Sequence, residues 1–313
     1  MTMQRRMLPF VALLLCALFA APAQANFRVA MADQDVTMFD NPKFQALDIE
    51  RVRYLVPHDW EKHAYERDAV TAFMNRAQSD GVEVLVHFTA RRGCYKNGHY
   101  SSSKKCRAPS VRTYTKVFKR FRAQFPEAKT IGVWNEANHV SQPLVRKPRL
   151  AAKYFLAARK ACRSCTFVAA DVLDGNNMTA WVTQFKRYAQ NKASIWGLHN
   201  YGDVNRKRTT GTRQLLRIVP GQVWATETGG ILKFQGYPRS ESRQAKRTKY
   251  MFRLFAKYDS RLSGMRSRLT RLYNYQWTGA KRSARFDAGL VGPNGKPRKA
   301  YRTFKRFAAK YDR

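Results

Sequence analysis

Acidic residues are scarce in this sequence of 313 residues, which has 21 Asp and Glu against 59 Lys and Arg and a formal net charge of +38. Apolar residues nevertheless make up 44% of the chain and aromatic residues 13%, which suffices for a large core and excludes intrinsic disorder. The sequence also lacks linkers rich in Pro, Gly or Ser, so it predicts a single domain. It has no Gly-rich phosphate loop after an early strand, which disfavours a dinucleotide-binding open sheet.

A long hydrophobic run is also missing, because the N-terminal apolar run Leu8–Ala20 is too short to cross a bilayer as a stable helix. It follows Arg5 and Arg6 and precedes Ala23-Gln24-Ala25, a small-x-small cleavage site. This three-part pattern predicts a signal peptide over residues 1–25 and an exported mature chain, 26–313, without a membrane span. The alternative interpretation is a buried N-terminal helix.

Cysteines are few, and four lie beyond the predicted cleavage site: Cys94, Cys106, Cys162 and Cys165. An even number in an exported protein favours two disulfides, with Cys94–Cys106 and Cys162–Cys165 as the simplest of three connectivities. A four-cysteine zinc site is the alternative, since Cys162 and Cys165 have ligand spacing. The eleven residues between Cys94 and Cys106 fit zinc poorly, because a second C-x-x-C is lacking.

Short β-rich runs alternate with amphipathic helical stretches along the whole mature chain. The predicted strands are Phe27–Ala32, Val52–Val56, Val82–Phe88, Thr130–Asn135, Phe167–Asp171, Ile195–Asn200, Val223–Glu227 and Leu269–Gln276. The predicted helices are Glu66–Ser79, Ser110–Phe125, Pro148–Cys162, Asn177–Gln190, Thr210–Val219, Ser240–Tyr258 and Arg298–Tyr311. Between the first two strands, Pro42–Leu47 allows only a turn or two. Eight strands with intervening helices predict a single-domain (β/α)8 TIM barrel rather than an open sheet.

Two of the scarce acids stand at predicted strand ends, where a barrel carries its chemistry. Glu136 follows the fourth strand and Glu227 ends the seventh, 91 residues later, which corresponds to three strand–helix units. Both carboxyl groups would then project over one mouth. Glycosidic bond cleavage needs such a pair, one protonated and one ionised. Burial and the neighbouring negative charge are expected to raise the pKa of Glu136. The alternative is that each glutamate only caps a helix or pairs with a surface cation.

The Asn135-Glu136 pair after strand four, together with Glu227 after strand seven, resembles the clan A glycoside hydrolase superfamily. This resemblance covers essentially all of the mature chain. It implies that Glu136 is the acid/base and Glu227 the nucleophile of a retaining double displacement. It also implies that Asn135 hydrogen-bonds the sugar 2-hydroxyl.

Other substrate-binding residues follow from the same resemblance. Arg53 on the second strand matches an arginine that orients the nucleophile, and His199 and Tyr201 match a His-x-Tyr pair of the same subsite. Trp277 matches the aromatic platform under the glycone sugar, with core packing as the alternative. His87 at the end of the third strand is placed at the same cleft, with a buried core histidine as the alternative.

The segment from Cys94 to Cys106 is long for a barrel loop and contains Tyr95, His99 and Tyr100. We hypothesise that it forms a disulfide-stapled wall of the substrate groove.

The sequence as a whole predicts a secreted, monomeric retaining glycoside hydrolase that cleaves β-linked poly- or oligosaccharide without a cofactor or metal. The β preference is implied by the resemblance alone. If the positive charge concentrates near the cleft, an anionic glycan is favoured as substrate, whereas an evenly spread charge would serve solubility. No nucleic-acid module is recognisable. The alternative function is a non-catalytic basic barrel that binds anionic polysaccharide or a cell-envelope polymer.

Overall fold

The computed structural model describes residues 27–311, so the predicted signal peptide lies outside the described residues. All eight predicted strands are present, and they pair in parallel. They are β1 (Arg28–Ala32), β2 (Arg51–Pro57), β3 (Glu83–Thr89), β4 (Thr130–Gly132), β5 (the two segments Thr166–Val168 and Asp171–Leu173), β6 (Ile195–His199), β7 (Gly221–Thr228) and β8 (Ser267–Tyr275).

The sheet closes on itself, because its two edges are the two consecutive segments of β5. The first segment pairs with β4 and the second with β6, while β1 pairs with both β8 and β2. Between the two segments, the Ala169 amide donates to the Ile195 carbonyl at 3.0 Å, and Gly197 donates to Ala170 at 2.7 Å. The predicted (β/α)8 barrel is therefore confirmed.

Nine α-helices follow in chain order in the described part of the chain: α1 (Pro42–Gln45), α2 (Ala64–Ser79), α3 (Val111–Gln124), α4 (Pro148–Ala161), α5 (Met178–Tyr188), α6 (Tyr201–Arg206), α7 (Thr210–Ile218), α8 (Glu241–Tyr258) and α9 (Lys299–Tyr311). The seven predicted helices correspond to α2 to α5 and α7 to α9. The first connection holds only a 3-10 turn and the four-residue α1, in line with its predicted shortness. In residues 27–311, no helix has both the length and the apolar character that crossing a bilayer requires.

Successive side chains of each strand point alternately toward the helical layer and toward the barrel interior. In β2, Val52, Tyr54 and Val56 belong to the main core between barrel and helices. Arg53 points inward, where its guanidinium contacts side chains from β4 and β7. The barrel interior is therefore only partly apolar, and its upper layer is charged.

Two glycines make room for this polar layer. A Cβ atom at Gly132 on β4 would lie 1.9 Å from the His87 ring, and one at Gly197 on β6 would lie 2.1 Å from an Asp171 carboxylate oxygen. Either Cβ atom would displace a buried side chain, and close packing makes such a displacement costly. The small residues of two strands thus fix where His87 and Asp171 sit.

Both predicted disulfides are present, with Cα–Cα distances of 5.6 Å for Cys94–Cys106 and 5.5 Å for Cys162–Cys165. The zinc alternative is wrong, because the cysteines are bonded in two separate pairs. Cys94–Cys106 closes the loop between β3 and α3, which carries a small antiparallel hairpin of Tyr95–Lys96 with His99–Tyr100. The Cys162–Cys165 disulfide closes the turn between α4 and β5.

Candidate active site

The side chains of Glu136 and Glu227 meet at the carboxyl end of the barrel. Glu136 follows β4 in the left-handed region, with φ +44°, which is uncommon for a residue other than glycine. Its neighbours are fixed by backbone hydrogen bonds, from Asn135 to Phe88 at 2.8 Å and from Ala137 to Asp171 at 2.9 Å. The local backbone therefore orients the Glu136 side chain independently of any substrate.

Glu227 lies near the end of β7, where the pairing with β6 changes register between Trp224 and Glu227. Such an irregularity re-aims the side chains that follow it. One carboxylate oxygen of Glu227 lies within 4.8 Å of one carboxylate oxygen of Glu136, and a His199 ring nitrogen lies within the same distance of both. The carboxyl groups of the two glutamates and the His199 ring thus converge at the carboxyl end of the barrel.

Arg53 binds the carboxylate of Glu227, the candidate nucleophile. Its Nη1 donates to Glu227 Oε1 at 2.6 Å, and its Nη2 donates to Asn135 Oδ1 at 2.6 Å and to Asp171 Oδ2 at 3.2 Å. Arg53 is fully buried, so these bonds are not weakened by water. Because Asn135 accepts through its Oδ1, its Nδ2 group is the part that could donate to a sugar hydroxyl.

His199 bridges the two glutamates to Asp171. Its Nδ1 lies 3.0 Å from Glu136 Oε1 and 3.5 Å from Glu227 Oε2, while its Nε2 lies 3.0 Å from Asp171 Oδ2. Burial opposes the charged imidazolium, but the charges of Asp171 and Glu227 and these hydrogen bonds raise the pKa of His199 to about 10. His199 is therefore a cation at neutral pH, and both ring nitrogens donate.

Sequence reasoning assigned no specific role to Asp171, which the structure places at the centre of the site. Asp171 is fully buried and, besides Arg53 and His199, accepts a short hydrogen bond from the Thr226 hydroxyl. Burial opposes its ionisation, but His199, His87 and Arg53 lower the pKa of Asp171 far below its usual range. Arg53, His199, Asp171, Glu136 and Glu227 together form what we call the charge cluster.

The expected rise in the pKa of Glu136 is wrong. Burial does raise this pKa, but the hydrogen bond and positive charge of His199 outweigh it, helped by the charge of His139, and the net shift is downward. The sequence argument considered the neighbouring carboxylate and could not see a buried imidazolium 3.0 Å away. His199 therefore favours the ionised form of Glu136, which must take up a proton before it can act as an acid.

His87 lies beneath the site rather than along its surface. Its side chain is fully buried, and its Nδ1 accepts from Arg53 Nε at 2.9 Å. Burial, followed by the nearby cations, lowers the pKa of His87 well below its usual value, although Asp171 opposes this shift. A neutral ring that accepts through Nδ1 carries its proton on Nε2, which lies 3.4 Å from Asp171. His87 therefore does not line the cleft as predicted. It is a buried core histidine, the stated alternative, and it positions Arg53.

Trp277 does not reach the cleft, contrary to the predicted platform. It is 1% exposed and packs edge-on against Phe44 and Tyr301, at centroid distances of 5.4 and 5.9 Å. The physical reason is that β8 ends at Tyr275, so the inward alternation does not extend to residue 277. The large apolar ring is instead buried against α9 and the segment before β2.

Partly exposed aromatic rings beside the site come from other residues. Tyr201, at the start of α6, donates from its hydroxyl to Glu227 Oε2 at 3.3 Å, as its predicted place requires. Burial and the charge of Glu227 raise the pKa values of Tyr201 and Tyr275. Phe286 joins them, 6.0 Å from Tyr201 and 6.1 Å from Tyr275 between ring centroids. Sequence reasoning missed Tyr275, whose inward place on β8 could have been found from strand alternation.

Among the described residues, Glu136, His199 and Glu227 form a group whose ligand atoms lie close enough to hold a metal ion. The partners that these three residues already have within the charge cluster argue against a metal ion. A protonated His199 offers no lone pair to a metal, and the guanidinium of Arg53 already neutralises Glu227 at 2.6 Å. The donor set therefore fits an ion-pair cluster better than a metal centre.

Comparison with solved structures identifies the fold. A family 5 glycoside hydrolase of Streptomyces cattleya, solved with Manβ1-4GlcNAc, has a TM-score of 0.64 and 14% identity over 91% of this chain and 81% of its own. A xylanase of Cellvibrio japonicus has a TM-score of 0.63 and 14% identity, covering 91% and 98%. A family 39 glycoside hydrolase of Bacteroides cellulosilyticus has a TM-score of 0.59 and 13% identity over 92% of this chain, which spans only 64% of that enzyme.

By sequence alone, no protein-family profile and no curated protein matches this chain. Glycoside hydrolases of families 5, 10 and 39 recur among the structural neighbours, all at 11–14% identity. The chain therefore has the fold of the clan A glycoside hydrolase superfamily, and the resemblance drawn from the sequence is confirmed at the level of the fold. Activity does not follow from a fold alone.

Proposed function

We propose that this chain is an exported retaining glycoside hydrolase that cleaves β-linked poly- or oligosaccharide. The observation that carries the proposal is the approach of Glu136 and Glu227 to within 4.8 Å between carboxylate oxygens. Retaining glycosidases hold their two carboxyl groups about 5–5.5 Å apart, whereas inverting enzymes need about 6.5–9.5 Å to admit a water molecule. The short gap supports direct attack by one carboxylate on the anomeric carbon.

Glu227 is the nucleophile in this proposal. Its carboxylate is held by Arg53 at 2.6 Å and by the Tyr201 hydroxyl at 3.3 Å, which fixes its position for attack. Glu136 is the acid/base, since it lies across the gap and donates its proton to the leaving oxygen as Glu227 forms the glycosyl ester. Ionised again, Glu136 then deprotonates the water that hydrolyses this ester.

Export is part of the same proposal. It is supported by the signal-peptide pattern of residues 1–25 and by the two disulfides, which form and persist in oxidising compartments. The β preference rests on the structural neighbours, among them xylanases and an enzyme solved with Manβ1-4GlcNAc. A monomer is expected, since one chain supplies every member of the charge cluster.

The test is turnover on β-linked xylan, mannan and glucan, with product anomers followed by proton NMR. We expect the β-anomer to appear first. Glu227→Gln should abolish turnover and leave the thermal unfolding temperature within a few degrees. The control is Glu50→Gln, because Glu50 is exposed just before β2, at the other end of the barrel, and forms only a surface ion pair with Arg51.

Glu136→Gln separates the two steps. With a dinitrophenyl β-glycoside, whose leaving group needs no proton, this variant should accumulate a covalent adduct on Glu227 that mass spectrometry detects. Full activity of Glu227→Gln, or an inverted first product, would overturn the mechanism. Binding of anionic polymer without turnover in the unchanged chain would instead favour a non-catalytic barrel.

A further inference from the structure

A second cavity, of about 430 Å³, opens beside the barrel mouth. Its walls come from the segment after β2, from the loop closed by Cys94–Cys106 and from the first half of α3. All three follow the carboxyl ends of β2 and β3, so the cavity lies at the same end of the barrel as Glu136 and Glu227.

The lining of this cavity is strongly basic. Seven Lys and Arg side chains face two acids, Asp59 and Glu61, and these acids are already paired with Arg91 and Arg120. The five remaining cations are Lys62, Lys104, Lys105, Arg107 and Lys116. Within residues 27–311, none of these five has a carboxylate at ion-pair distance. All five are solvent-exposed, and a cluster of charges of one sign raises the local concentration of anions.

The loop closed by Cys94–Cys106 approaches the catalytic pair near its first cysteine and lines the basic cavity near its second. Glu136 Oε2 lies 3.7 Å from His139 Nδ1, and the His139 ring lies 6.4 Å from the Tyr95 ring, between centroids. Tyr95 is 38% exposed and follows Cys94 directly, so it belongs to the same stapled loop that carries Lys104 and Lys105. This loop therefore connects the basic cavity with the surroundings of Glu136, the residue proposed to protonate the leaving group.

We propose that the substrate is an acidic polysaccharide whose leaving-group portion lies along Tyr95 and places its carboxylates or other anionic groups in this basic cavity. The inference rests on the proposed glycosidase function and adds its substrate class. A neutral glycan would leave the five cations without partners, whereas a polyanionic chain supplies one charge for each sugar that enters. A glycan is favoured over a nucleic acid because the loop that lines the cavity also approaches a carboxylate pair suited to glycosidic bonds.

The experiment measures binding of fluorescein-labelled β-1,4-polyglucuronate oligomers, with cello-oligosaccharides of equal length as the neutral counterpart. The protein is the full chain carrying Glu227→Gln, so that hydrolysis does not disturb the titration. In this background Lys104→Glu/Lys105→Glu/Lys116→Glu is compared with Lys160→Glu/Lys192→Glu/Lys257→Glu. The control lysines are exposed at the opposite end of the barrel and change the net charge equally.

We expect the cavity variant to bind polyglucuronate at least about tenfold more weakly, with a shallower dependence of log K on log salt, by about 2. The control variant should bind nearly as the parent does, and cello-oligosaccharide binding should not distinguish the three proteins. A Lys→Gln triple at the same positions tests the cavity should the charge reversal impair folding.

Equal weakening in the cavity and control variants would overturn the inference, since attraction would then be spread over the whole surface. So would a single-stranded oligonucleotide of equal charge that competes as well as polyglucuronate does. These outcomes are separable from failure of the enzyme proposal. Loss of turnover in Glu227→Gln with no effect of the cavity lysines refutes only the substrate class, and cavity-dependent binding without any turnover refutes only the hydrolase.

Discussion

The protonated state of His199 gives the sharpest test of the charge cluster. Its pKa is raised from 6.5 to about 10, so the folded protein binds this proton more tightly than the unfolded chain does. The difference corresponds to about 5 kcal/mol of folding free energy at 1.36 kcal/mol for each pH unit. His199 is fully buried, so no reduction for solvent screening applies.

The upward direction of the His199 pKa shift determines the pH range in which the effect is seen. A group whose pKa is raised on folding stabilises fully below its unfolded value, here about 6.5, and this contribution vanishes as pH rises through about 10. Replacing His199 with Asn removes the titrating group. The free energy of unfolding of the wild type minus that of His199→Asn should therefore fall by about 1.4 kcal/mol per pH unit between pH 6.5 and 10.

The assay is equilibrium urea unfolding of both proteins at five pH values from 6 to 10, followed by tryptophan fluorescence and circular dichroism. Coincident transitions justify the two-state treatment. Thr248→Ala serves as the control, because Thr248 is a buried residue of α8 that does not titrate and lies outside the charge cluster. Its difference curve should stay level. A level curve for His199→Asn as well would refute a buried imidazolium.

The same variant should change the pH dependence of activity. His199 lowers the pKa of Glu136, and a general acid acts only while protonated. The alkaline limb of kcat/KM should therefore lie at acidic pH in the wild type and move to higher pH in His199→Asn. An unmoved limb would mean that Glu136 is not the acid or that His199 does not control it.

Three further substitutions test the remaining assignments. Asp171→Asn keeps the shape but leaves Arg53 and His199 without their shared anion, so thermal unfolding should show a loss of about 3–5 kcal/mol, and an unchanged transition would contradict its central place. Trp277→Ala should cost about 3–5 kcal/mol while KM at a permissive temperature stays constant, and the reverse pattern would restore its role as platform. Cys94→Ser/Cys106→Ser should lower stability by about 3 kcal/mol and alter KM before it abolishes folding, whereas outright misfolding would refute the stapled-wall hypothesis.

Local patterning was enough to predict the barrel and the meeting of Glu136 and Glu227 at its mouth. Eight β-rich runs separated by amphipathic helices define strand order in a barrel, because each strand pairs with its neighbour in sequence. Glu136 and Glu227 then had to share one mouth, since both follow strand ends. Arg53, Asn135, His199 and Tyr201 were placed by the resemblance, and the structure brings all four to this pair.

The sequence could not show how deeply each side chain is buried within the barrel. Asp171 ends a run of small apolar residues and was indistinguishable from a cleft-lining acid, yet it is fully buried because Gly197 leaves space beside it. His87 is likewise buried because Gly132 leaves space for its ring. The prediction for Trp277 was wrong for a different reason. The strand ends two residues earlier, and the Trp277 ring packs in the helical layer. Contacts between strands distant in sequence decide all three positions.

The composition of the charge cluster suits a double displacement. With Glu136 protonated before the first step, two carboxylates, Glu227 and Asp171, face the two cations Arg53 and His199. When Glu136 gives its proton to the leaving oxygen, Glu227 loses its charge by forming an ester in the same step. Two carboxylates, now Glu136 and Asp171, still face two cations.

The negative charge thus moves from one side of the gap to the other while the buried total stays neutral, which avoids an uncompensated charge in either reactive state. His199, which contacts both glutamates at 3.0 and 3.5 Å, can follow that charge without moving far. A neutral residue at this position would leave two carboxylates facing one cation in both states. We therefore expect His199→Asn to slow formation and hydrolysis of the glycosyl ester alike, which burst kinetics with a dinitrophenyl glycoside would resolve. A variant impaired in only one step would show that His199 serves one glutamate and not the pair.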